Sequence, residues 1–174
     1  MTDRRQTGLL SAAVAGDEVA FRKIIATPHD DMRRVARYIA RDGTLAEEAT
    51  QAARVIAWKK LGNVNGEENL RPWLVSVAAN EAKRVLRRRR RRAEVEVIAD
   101  ASSEPGGIDP ATGIDLIDFR AALARLDPDD RALLAMRYVA GFDSNALATA
   151  HGISPSGTRN RLERLRKRLQ QELA

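Results

Sequence analysis

Residues 87–92 are six consecutive arginines, and the next 27 residues contain no lysine or arginine at all. Residues 1–92 carry 20 basic and 11 acidic side chains, residues 93–119 carry none and 7, and residues 120–174 carry 10 and 6. Such an abrupt change of charge is typical of a boundary between separately folded units. The sequence therefore predicts two basic modules joined by an acidic connection, an arrangement suited to gripping one polyanion at two places.

The length and composition limit the class of protein. A chain of 174 residues accommodates one domain or two small ones, and the charge blocks favour two. The absence of cysteine excludes disulfides and thiol chemistry and fits a reducing cytoplasm. The start of the chain lacks the apolar segment of a signal peptide, and no apolar run approaches the roughly 18 residues of a membrane span. A net charge of +6 favours nucleic acid or an anionic membrane surface as the partner.

Apolar residues recur at helical spacing along the first half of the chain. The pattern predicts helices over 8–15, over 18–27, from Asp30 or Asp31 to a stop at Gly43, over 44–61 and over 69–92. The helix over 44–61 opens with Thr-Leu-Ala-Glu, a capping box in which Glu47 reaches back to the amide of Thr44. Residues 62–66 are predicted to form a loop, and residues 98–116 a linker.

The second half contains a helix-turn-helix pattern. Asp127-Pro128 is a strong helix start, and that helix is expected to reach Val139. A short helix over 144–150 is stopped by Gly152, and Ser154-Pro155 opens a basic final helix. In a helix-turn-helix the first residues of the second helix reach base edges. The alternative is a solvated basic helix in an ordinary bundle.

Side chains on this final helix match the usual partners of bases and phosphates. Arg159 suits guanine and Asn160 suits adenine. Arg161, Arg164 and Lys167 are better placed for phosphates. The arginine run at 87–92 is less specific, because a solvated helix end, an RNA patch and a membrane patch share its composition.

Other reactive or aromatic residues point to structure rather than chemistry. Trp58 and Trp73 are expected mainly as core anchors, and His29 and His151 lack acidic companions at metal-ligand spacing. The sequence contains no nucleotide-binding glycine loop, nucleophile elbow or paired-carboxylate site. It therefore predicts no metal, no cofactor and no enzymatic activity.

Several short motifs are specific when their order is considered. In the first half they are Gly16-Asp17-x-x-Ala20-Phe21, residues 46–51 (AEEATQ) leading to Trp58, Trp73-Leu74, Ala78-Ala79-Asn80 and the arginine run. In the second half they are Leu126-Asp127-Pro128, Arg131, Arg137-Tyr138, Gly141, Leu147-Ala148, Gly152-Ile153-Ser154, Arg161-Leu162 and Arg164. With this layout over about residues 8–172, the chain resembles an extracytoplasmic-function (ECF) sigma factor of bacterial RNA polymerase.

Some positions depart from the family pattern. The acid and bulky residues usual after the glutamine are replaced by Ala52, Ala53 and Arg54. In the second half, Ala146 replaces a usual Glu, His151 a usual Leu, and Gly157-Thr158 the usual Thr-Val. These differences indicate a divergent subgroup and leave the helix pattern intact.

The resemblance implies an all-α fold of two small helical domains joined by a flexible acidic linker. The domains would be a sigma region 2-like bundle at 1–92 and a region 4-like helix-turn-helix at 117–174, with the linker at 93–116. Such factors are not enzymes and use no cofactor. They act in the cytoplasm without membrane insertion, bind the β and β′ subunits of core RNA polymerase, and direct it to promoter DNA. An anti-sigma factor is a further candidate partner.

The same resemblance assigns three sets of residues. The expected polymerase-binding residues are Glu47, Glu48 and Gln51. The residues expected at the −10 element are Asn63, Asn65, Trp73, Asn80, Lys83, Arg84, Arg87 and Arg88. The residues expected at the −35 element are Ser156, Thr158, Arg159, Asn160, Arg161 and Arg164. Loop 62–66 is expected to help capture a flipped base, which costs a few kcal/mol to unstack.

Two other functions remain open at this point. A helix-turn-helix regulator that never binds polymerase would recognise DNA on its own. A degenerate sigma homologue would act as an interaction protein that titrates polymerase or an anti-sigma factor, and the departures at Ala52 and Ala146 keep this alternative open.

Overall fold

The structure is a computed structural model that describes residues 3–96 and 121–173, with side chains at 8–93 and 121–172. The helices of the first part are α1 (Asp3–Val14), α2 (Glu18–Ala26), α3 (His29–Ala40), α4 (Gly43–Lys60) and α5 (Leu70–Glu96). The helices of the second part are α6 (121–125), α7 (Pro128–Leu134), α8 (Ser144–His151) and α9 (Pro155–Leu173). Short 3₁₀ turns, Leu61–Asn63 and Glu67–Asn69, connect α4 to α5. These described parts contain no β-strand, which confirms the prediction of an all-α fold.

The core of the first part lies between α3, α4 and α5, which pack against one another. Met32 and Ile39 of α3 and Leu74 of α5 are fully buried there. The α4 side of the core is lined by small residues, Ala46, Ala49, Ala53 and Ala57. Because alanine is small, the backbones of these helices can approach closely, and bulky residues from α3 and α5 fill the space that remains.

Two sequence predictions at the start of α4 are wrong. The N-cap is Asp42 rather than Thr44, because the Asp42 Oδ1 accepts a hydrogen bond of 3.0 Å from the Leu45 amide. The predicted partner Glu47 instead accepts a hydrogen bond of 2.9 Å from the Gln51 side chain. The left-handed residue that ends α3 is Arg41, with φ 57°, and not Gly43.

Helix starts in the second part follow the predicted capping chemistry. The Asp127 carboxylate accepts hydrogen bonds of 2.8 and 2.9 Å from the amides of Asp129 and Asp130, and Pro128 occupies the first helical position. A π-helical turn, Ala135–Val139, continues α7. Gly152 ends α8 in the left-handed conformation, with φ 65°. Leucines and methionine form the buried core of this part, namely Leu133, Leu134, Met136, Leu147, Leu162, Leu165 and Leu169.

The two parts pack directly on each other. Helix α7 and the π-helical turn lie against α3, and α8 lies against α5. Arg71 of α5 connects them, because its Nη2 donates to the Ala140 carbonyl at 2.8 Å and to Asp31 Oδ2 at 2.6 Å. Its guanidinium also lies 4.6 Å from the centre of the Phe142 ring. This arrangement had no signature in the sequence.

The predicted linker at 93–116 lies mostly outside the described residues. Helix α5 continues past the arginine run to Glu96, so the helix is longer than the predicted 69–92. The rest of the linker, and the first residues of the predicted domain 117–174, are not described. The domain boundaries therefore stay predictions.

Candidate nucleic-acid interface

The basic surface of the first part lies along α5. Asn80, Arg84 and Arg87 are exposed. Arg84 Nε donates a hydrogen bond of 2.8 Å to the Glu81 carboxylate. Arg88 is half-buried and paired with Glu48 of α4. These predicted −10 residues therefore lie on or beside one exposed surface. Its positive charges are complementary to the negative phosphates of a DNA backbone.

Lys83 belongs to the same predicted set but is held differently. Its side chain is only 12% exposed, and its Nζ lies 2.7 Å from Asp129 Oδ1 of α7. The ammonium group is thus neutralised by an acid from the second part of the chain. In this arrangement the second part occupies the site at which Lys83 is expected to meet a phosphate.

Loop 62–66 and the start of α5 form one wall of a cavity of about 250 Å³. Asn63 and Asn65 are exposed, and Trp73 is half-buried at the cavity. The Asn65 carbonyl accepts a hydrogen bond of 2.6 Å from Asn69, which orders the loop. The opposite wall consists of Ala146, Thr149 and Ala150 of α8. The two asparagines and Trp73 thus line one cavity, and α8 faces them across it.

Trp58 takes the structural role expected of it. Its ring makes an edge-to-face contact with Phe21, with centroids 5.0 Å apart and planes at 73°. It packs against the buried core of the first part.

Helices α8 and α9 form the predicted helix-turn-helix. The Asp143 carboxylate caps α8 by accepting hydrogen bonds of 3.0 and 2.8 Å from the amides of Asn145 and Ala146. At the start of α9, the Ser154 Oγ accepts a hydrogen bond of 3.0 Å from the Gly157 amide. Two local caps on either side of the left-handed Gly152 fix the turn, so the start of α9 has a defined direction.

The predicted −35 residues divide into three groups. Ser156, Arg159, Asn160 and Arg164 are exposed on α9. Arg161 is half-buried and pairs with Asp130 of α7 at 2.6 Å. Thr158 is fully buried, and its hydroxyl donates a hydrogen bond of 3.0 Å to the Ser154 carbonyl. The prediction of a DNA contact at Thr158 is therefore wrong, since the side chain points into the core one turn before Leu162.

The exposed face of α4 carries the predicted polymerase-binding residues. Glu47, Glu48 and Gln51 are all exposed. Val55 continues this stripe one turn further and is 55% exposed, so the stripe includes an apolar side chain that water contacts. Sequence reasoning missed Val55, although its spacing of four from Gln51 places it on the same face.

The histidines do not form a metal site. Within residues 3–96 and 121–173, no group of His, Cys, Asp and Glu residues could hold a metal ion. His151 is the last residue of α8, and burial lowers the pKa of its imidazole, with the charges of Lys83 and Arg161 acting in the same direction. In the same described ranges, no helix is long and apolar enough to cross a membrane.

Two basic helical modules, one with a helix-turn-helix, define a class of DNA-binding protein with two contact surfaces. Residues 24–92 match the family model for sigma-70 region 2, and residues 116–169 match that for sigma-70, region 4. These matches, in this order, cover most of the chain. The chain therefore belongs to the sigma-70 family, and the relatives named below include ECF sigma factors.

Three named relatives are 26–29% identical to this chain over the aligned residues. The probable RNA polymerase sigma factor RfaY of Xanthomonas campestris pv. campestris is 29% identical over 173 residues, which are 94% of this chain and 43% of RfaY. RNA polymerase sigma factor CarQ of Myxococcus xanthus is 28% identical over 162 residues, 91% of each chain. ECF RNA polymerase sigma factor SigM of Mycobacterium tuberculosis is 26% identical over 96% of this chain and 84% of SigM. The chain thus spans under half of RfaY but most of CarQ and SigM.

Two solved structures share the fold. The sigma factor RpoE of Bartonella quintana, solved in complex with the anti-sigma factor NepR, has a TM-score of 0.71 and 25% identity over 88% of this chain and 96% of that chain. CnrH, solved in complex with the cytosolic domain of CnrY, has a TM-score of 0.70 and 22% identity over 99% of this chain and 97% of that chain. At that identity CnrH supports the fold alone.

Proposed function

We propose that this chain is an initiation factor that binds core RNA polymerase and directs it to promoters with both a −10 and a −35 element. One observation carries the proposal. Exposed basic residues along α5 and at the start of α9 form two separate basic surfaces on one chain, and α4 presents a third surface with mixed polar and apolar character. A factor that only bound DNA would have no use for the third surface.

The α4 face is proposed to bind the clamp region of the β′ subunit. Glu47, Gln51 and Val55 are exposed at spacings of four and so share one side of the helix. A polar rim around an exposed apolar residue is typical of an exchangeable protein interface. Glu48 is placed at the edge of this face, because it is paired with Arg88.

The −10 element is proposed to bind along α5 and loop 62–66. Arg84 and Arg87 would contact phosphates, and Asn80 would lie near melted bases. A flipped base would enter the cavity beside Trp73, where the side chains of Asn63 and Asn65 can satisfy its polar edge. Lys83 would join the phosphate contacts once Asp129 leaves it.

The −35 element is proposed to bind at the start of α9. Arg159 and Asn160 are exposed near the N-terminus of α9, which is the part of the helix that would enter the major groove. They are therefore assigned to base edges. Ser156 and Arg164 are assigned to phosphates. Arg161 would position α9 through Asp130, because its guanidinium is already engaged at 2.6 Å.

Binding both elements at once requires the two parts to separate. The elements lie about one and a half turns of DNA apart, roughly 50 Å at ~34 Å per turn. Residues 97–120 could span about 80 Å when fully extended. The proposed domains, 1–92 and 117–174 with a connection at 93–116, can therefore reach both elements, and the packed arrangement of the free chain has to open first.

We infer that the chain has no enzymatic activity of its own and acts in the cytoplasm, where its polymerase and promoter partners are found. An anti-sigma factor is a proposed partner, because the sigma factor RpoE of Bartonella quintana, which shares this fold at 25% identity, was solved in complex with the anti-sigma factor NepR.

Run-off transcription with purified core polymerase tests the proposal. The chain should convert core enzyme from promoter-blind to promoter-specific initiation, and it should bind promoter DNA tightly only together with core enzyme. Tight, sequence-specific binding by the isolated chain without polymerase-dependent transcripts would favour the helix-turn-helix regulator. Polymerase binding without transcripts from any promoter in a genomic library would favour the interaction protein.

A further inference from the structure

Asn69 holds the loop that forms one wall of the cavity beside Trp73. It lies directly before the first residue of α5, and its Nδ2 donates a hydrogen bond of 2.6 Å to the Asn65 carbonyl. The same nitrogen donates a hydrogen bond of 3.3 Å to Glu68 Oε1. Because both neighbours are acceptors, the nitrogen and not the oxygen of the Asn69 amide must face them.

This use of Asn69 differs from the one that its position suggests. An asparagine directly before a helix usually caps it, with the side-chain oxygen accepting a hydrogen bond from a backbone amide of the first turn. Here both side-chain hydrogen bonds of Asn69 are donated by its nitrogen, to acceptors that precede α5. The side chain is therefore a donor to the loop.

The end of the loop has a second constraint. Gly66 has φ 82°, a left-handed conformation that glycine adopts without strain, and a side chain there would also collide with the Glu68 carboxylate. The Asn69 backbone amide donates a hydrogen bond of 3.3 Å to the Gly66 carbonyl. The turn that joins the loop to α5 thus brings the Asn69 side chain back to the Asn65 carbonyl.

Two amides of the loop remain free to recognise a ligand. Asn63 and Asn65 are exposed, both line the cavity of about 250 Å³, and neither side chain makes a hydrogen bond to another described residue. A carboxamide has an acceptor on one side and two donors on the other, so the base edge that it can pair with depends on its orientation. Fixing the Asn65 carbonyl also restricts the direction in which the Asn65 side chain leaves the backbone.

We propose that Asn69 is a positioning residue for the recognition of an unpaired base at the −10 element. It holds the Asn65 carbonyl, so that the free amides of Asn63 and Asn65 keep one orientation at the cavity, and this orientation sets which base the cavity accepts. Asn69 also lines the cavity, but its donors are already engaged, so its role is exerted through Asn65. The inference rests on the proposed function, because it requires that a flipped base enters beside Trp73.

Asn69→Asp separates this role from helix capping. Aspartate has the same shape and is as good an N-cap as asparagine, so a capping role would survive the substitution. Ionised aspartate has no donor, and its carboxylate would face the Asn65 carbonyl oxygen and the Glu68 carboxylate. The loop should therefore be released in Asn69→Asp, and also in Asn69→Ala, which adds no charge.

The first measurement needs only the full chain. Hydrogen–deuterium exchange followed by mass spectrometry reports how often the backbone amides of residues 62–69 open. We expect exchange in this segment to become about two- to tenfold faster in Asn69→Asp and Asn69→Ala, the change that corresponds to one lost hydrogen bond. Exchange in α4 and in α9 should not change. Unchanged exchange over residues 62–69 in both variants would overturn the proposal.

The second measurement is transcription by core polymerase and the full chain from a promoter library with randomised −10 bases. Both variants should lose about two- to tenfold of the base preference at one −10 position, and keep the preferences at the other positions and at the −35 element. A variant that was only less stable would lose activity on all promoters alike. Unchanged preference at every −10 position would also overturn the proposal, even with faster exchange in the loop.

Glu68→Gln is the matched control for charge. It removes an acid beside the loop and keeps an oxygen that can accept the second hydrogen bond of Asn69. This variant should exchange like the parent and show the same base preference, with at most a uniform gain in affinity for DNA. If Glu68→Gln changes the −10 preference as much as Asn69→Ala does, local charge is responsible and the positioning role of Asn69 is wrong.

Failure of the proposed function would give a different pattern. If the parent chain supports no promoter-specific transcripts, the proposed function is wrong and the inference about base recognition is wrong with it. If transcription by the parent depends on −10 bases and both Asn69 variants keep that dependence, the proposed function stands and only the role of Asn69 is wrong.

Discussion

Lys83 of α5 and Asp129 of α7 form an ion pair of 2.7 Å between residues 46 positions apart in sequence. The pair joins the two parts of the chain, and it holds the one cation of the proposed −10 set that is nearly buried, at 12% exposure. Asp129 itself remains 63% exposed. The second part of the chain therefore competes with DNA for Lys83.

Replacing Asp129 with Asn should release Lys83. The free chain should then bind a single-stranded −10 oligonucleotide more tightly, by roughly two- to fivefold at low salt, because an ion pair with one exposed partner is worth about 0.2–1 kcal/mol. Fluorescence anisotropy with a labelled oligonucleotide measures the change. The gain should shrink as salt is raised, since salt screens the contact with phosphates.

Loss of any acid makes the chain more cationic, so a matched variant is required. Asp30→Asn removes an acid whose side chain is 77% exposed and lies 3.9 Å from its arginine partner. If Asp30→Asn raises affinity as much as Asp129→Asn, the effect is one of net charge and Lys83 is not specifically masked.

Val55 is predicted to contribute to polymerase binding. It lies one turn beyond Gln51 on the exposed face of α4, and burying an apolar side chain of this size on complex formation contributes about 1.5–3 kcal/mol at most. We expect Val55→Ser to weaken binding to core polymerase by about tenfold without changing the fold. Competition with a labelled sigma factor for core enzyme would measure this.

Val19 offers a close control, because it is also a valine on a helix surface and is 57% exposed. Val19→Ser should leave polymerase affinity unchanged, and both variants should keep the parent's thermal midpoint within a few degrees. Equal losses of affinity in the two variants would rule out a specific role for the α4 face.

Much of the fold could be predicted because helix ends have local chemistry. Asp127-Pro128 and Ser154-Pro155 were both identified from sequence as starts, and each lies at the beginning of a helix. The error at α4 arose from two overlapping capping signals. Asp42 and Thr44 are both good caps, and Arg41, which can adopt the left-handed conformation although it is not glycine, decided between them.

The candidate site was harder to predict because it depends on contacts that are distant in sequence. Nothing local distinguishes Lys83 from Arg84, yet one is held by Asp129 and the other is exposed beside Glu81. Likewise Arg131 is almost fully buried, on a helix that packs against α3, α5 and α9. Charge patterns locate basic surfaces, and tertiary packing decides which of their members remain free.

Arg159 is predicted to read a base pair of the −35 element. Its side chain is exposed at the start of α9, so Arg159→Ala should cost about 1–3 kcal/mol and relax preference at one position. Arg164→Ala should instead weaken all sequences to a similar extent, as expected for a phosphate contact. Transcription from a promoter library with randomised −35 bases distinguishes the two. Unchanged base preference in Arg159→Ala would place the recognition surface elsewhere on α9.

Thr158 is predicted to affect stability and not promoter choice. Its hydroxyl is fully buried and donates to the Ser154 carbonyl, so Thr158→Val should lower the free energy of unfolding by about 1 kcal/mol. Urea unfolding measures the loss, and the same promoter library checks specificity. A change in −35 preference with unchanged stability would contradict this assignment.

His151 makes the stability of the chain depend on pH. Its Nε2 is buried without a hydrogen-bond partner among the described residues, and burial, Lys83 and Arg161 all lower its pKa from 6.5, while Asp129 raises it slightly. A lowered pKa means that the folded chain holds this proton less tightly than the unfolded chain. Stability from this group is therefore complete above about pH 6.5 and is lost as pH falls toward the lowered pKa.

His151→Leu should remove this dependence. The variant is expected to be more stable than the parent at pH 5.5, with a smaller difference at pH 7.5, because leucine has no proton to gain and no buried nitrogen to satisfy. One proton can contribute a slope of at most about 1.4 kcal/mol per pH unit. The difference in unfolding free energy between the two proteins should therefore change by no more than that for each pH unit. Urea unfolding from pH 5 to 8 measures it, and His29→Gln serves as the control for the other histidine. Parallel pH profiles for the parent and His151→Leu would show that the imidazole is protonated equally easily in the folded and unfolded states, and would contradict its burial.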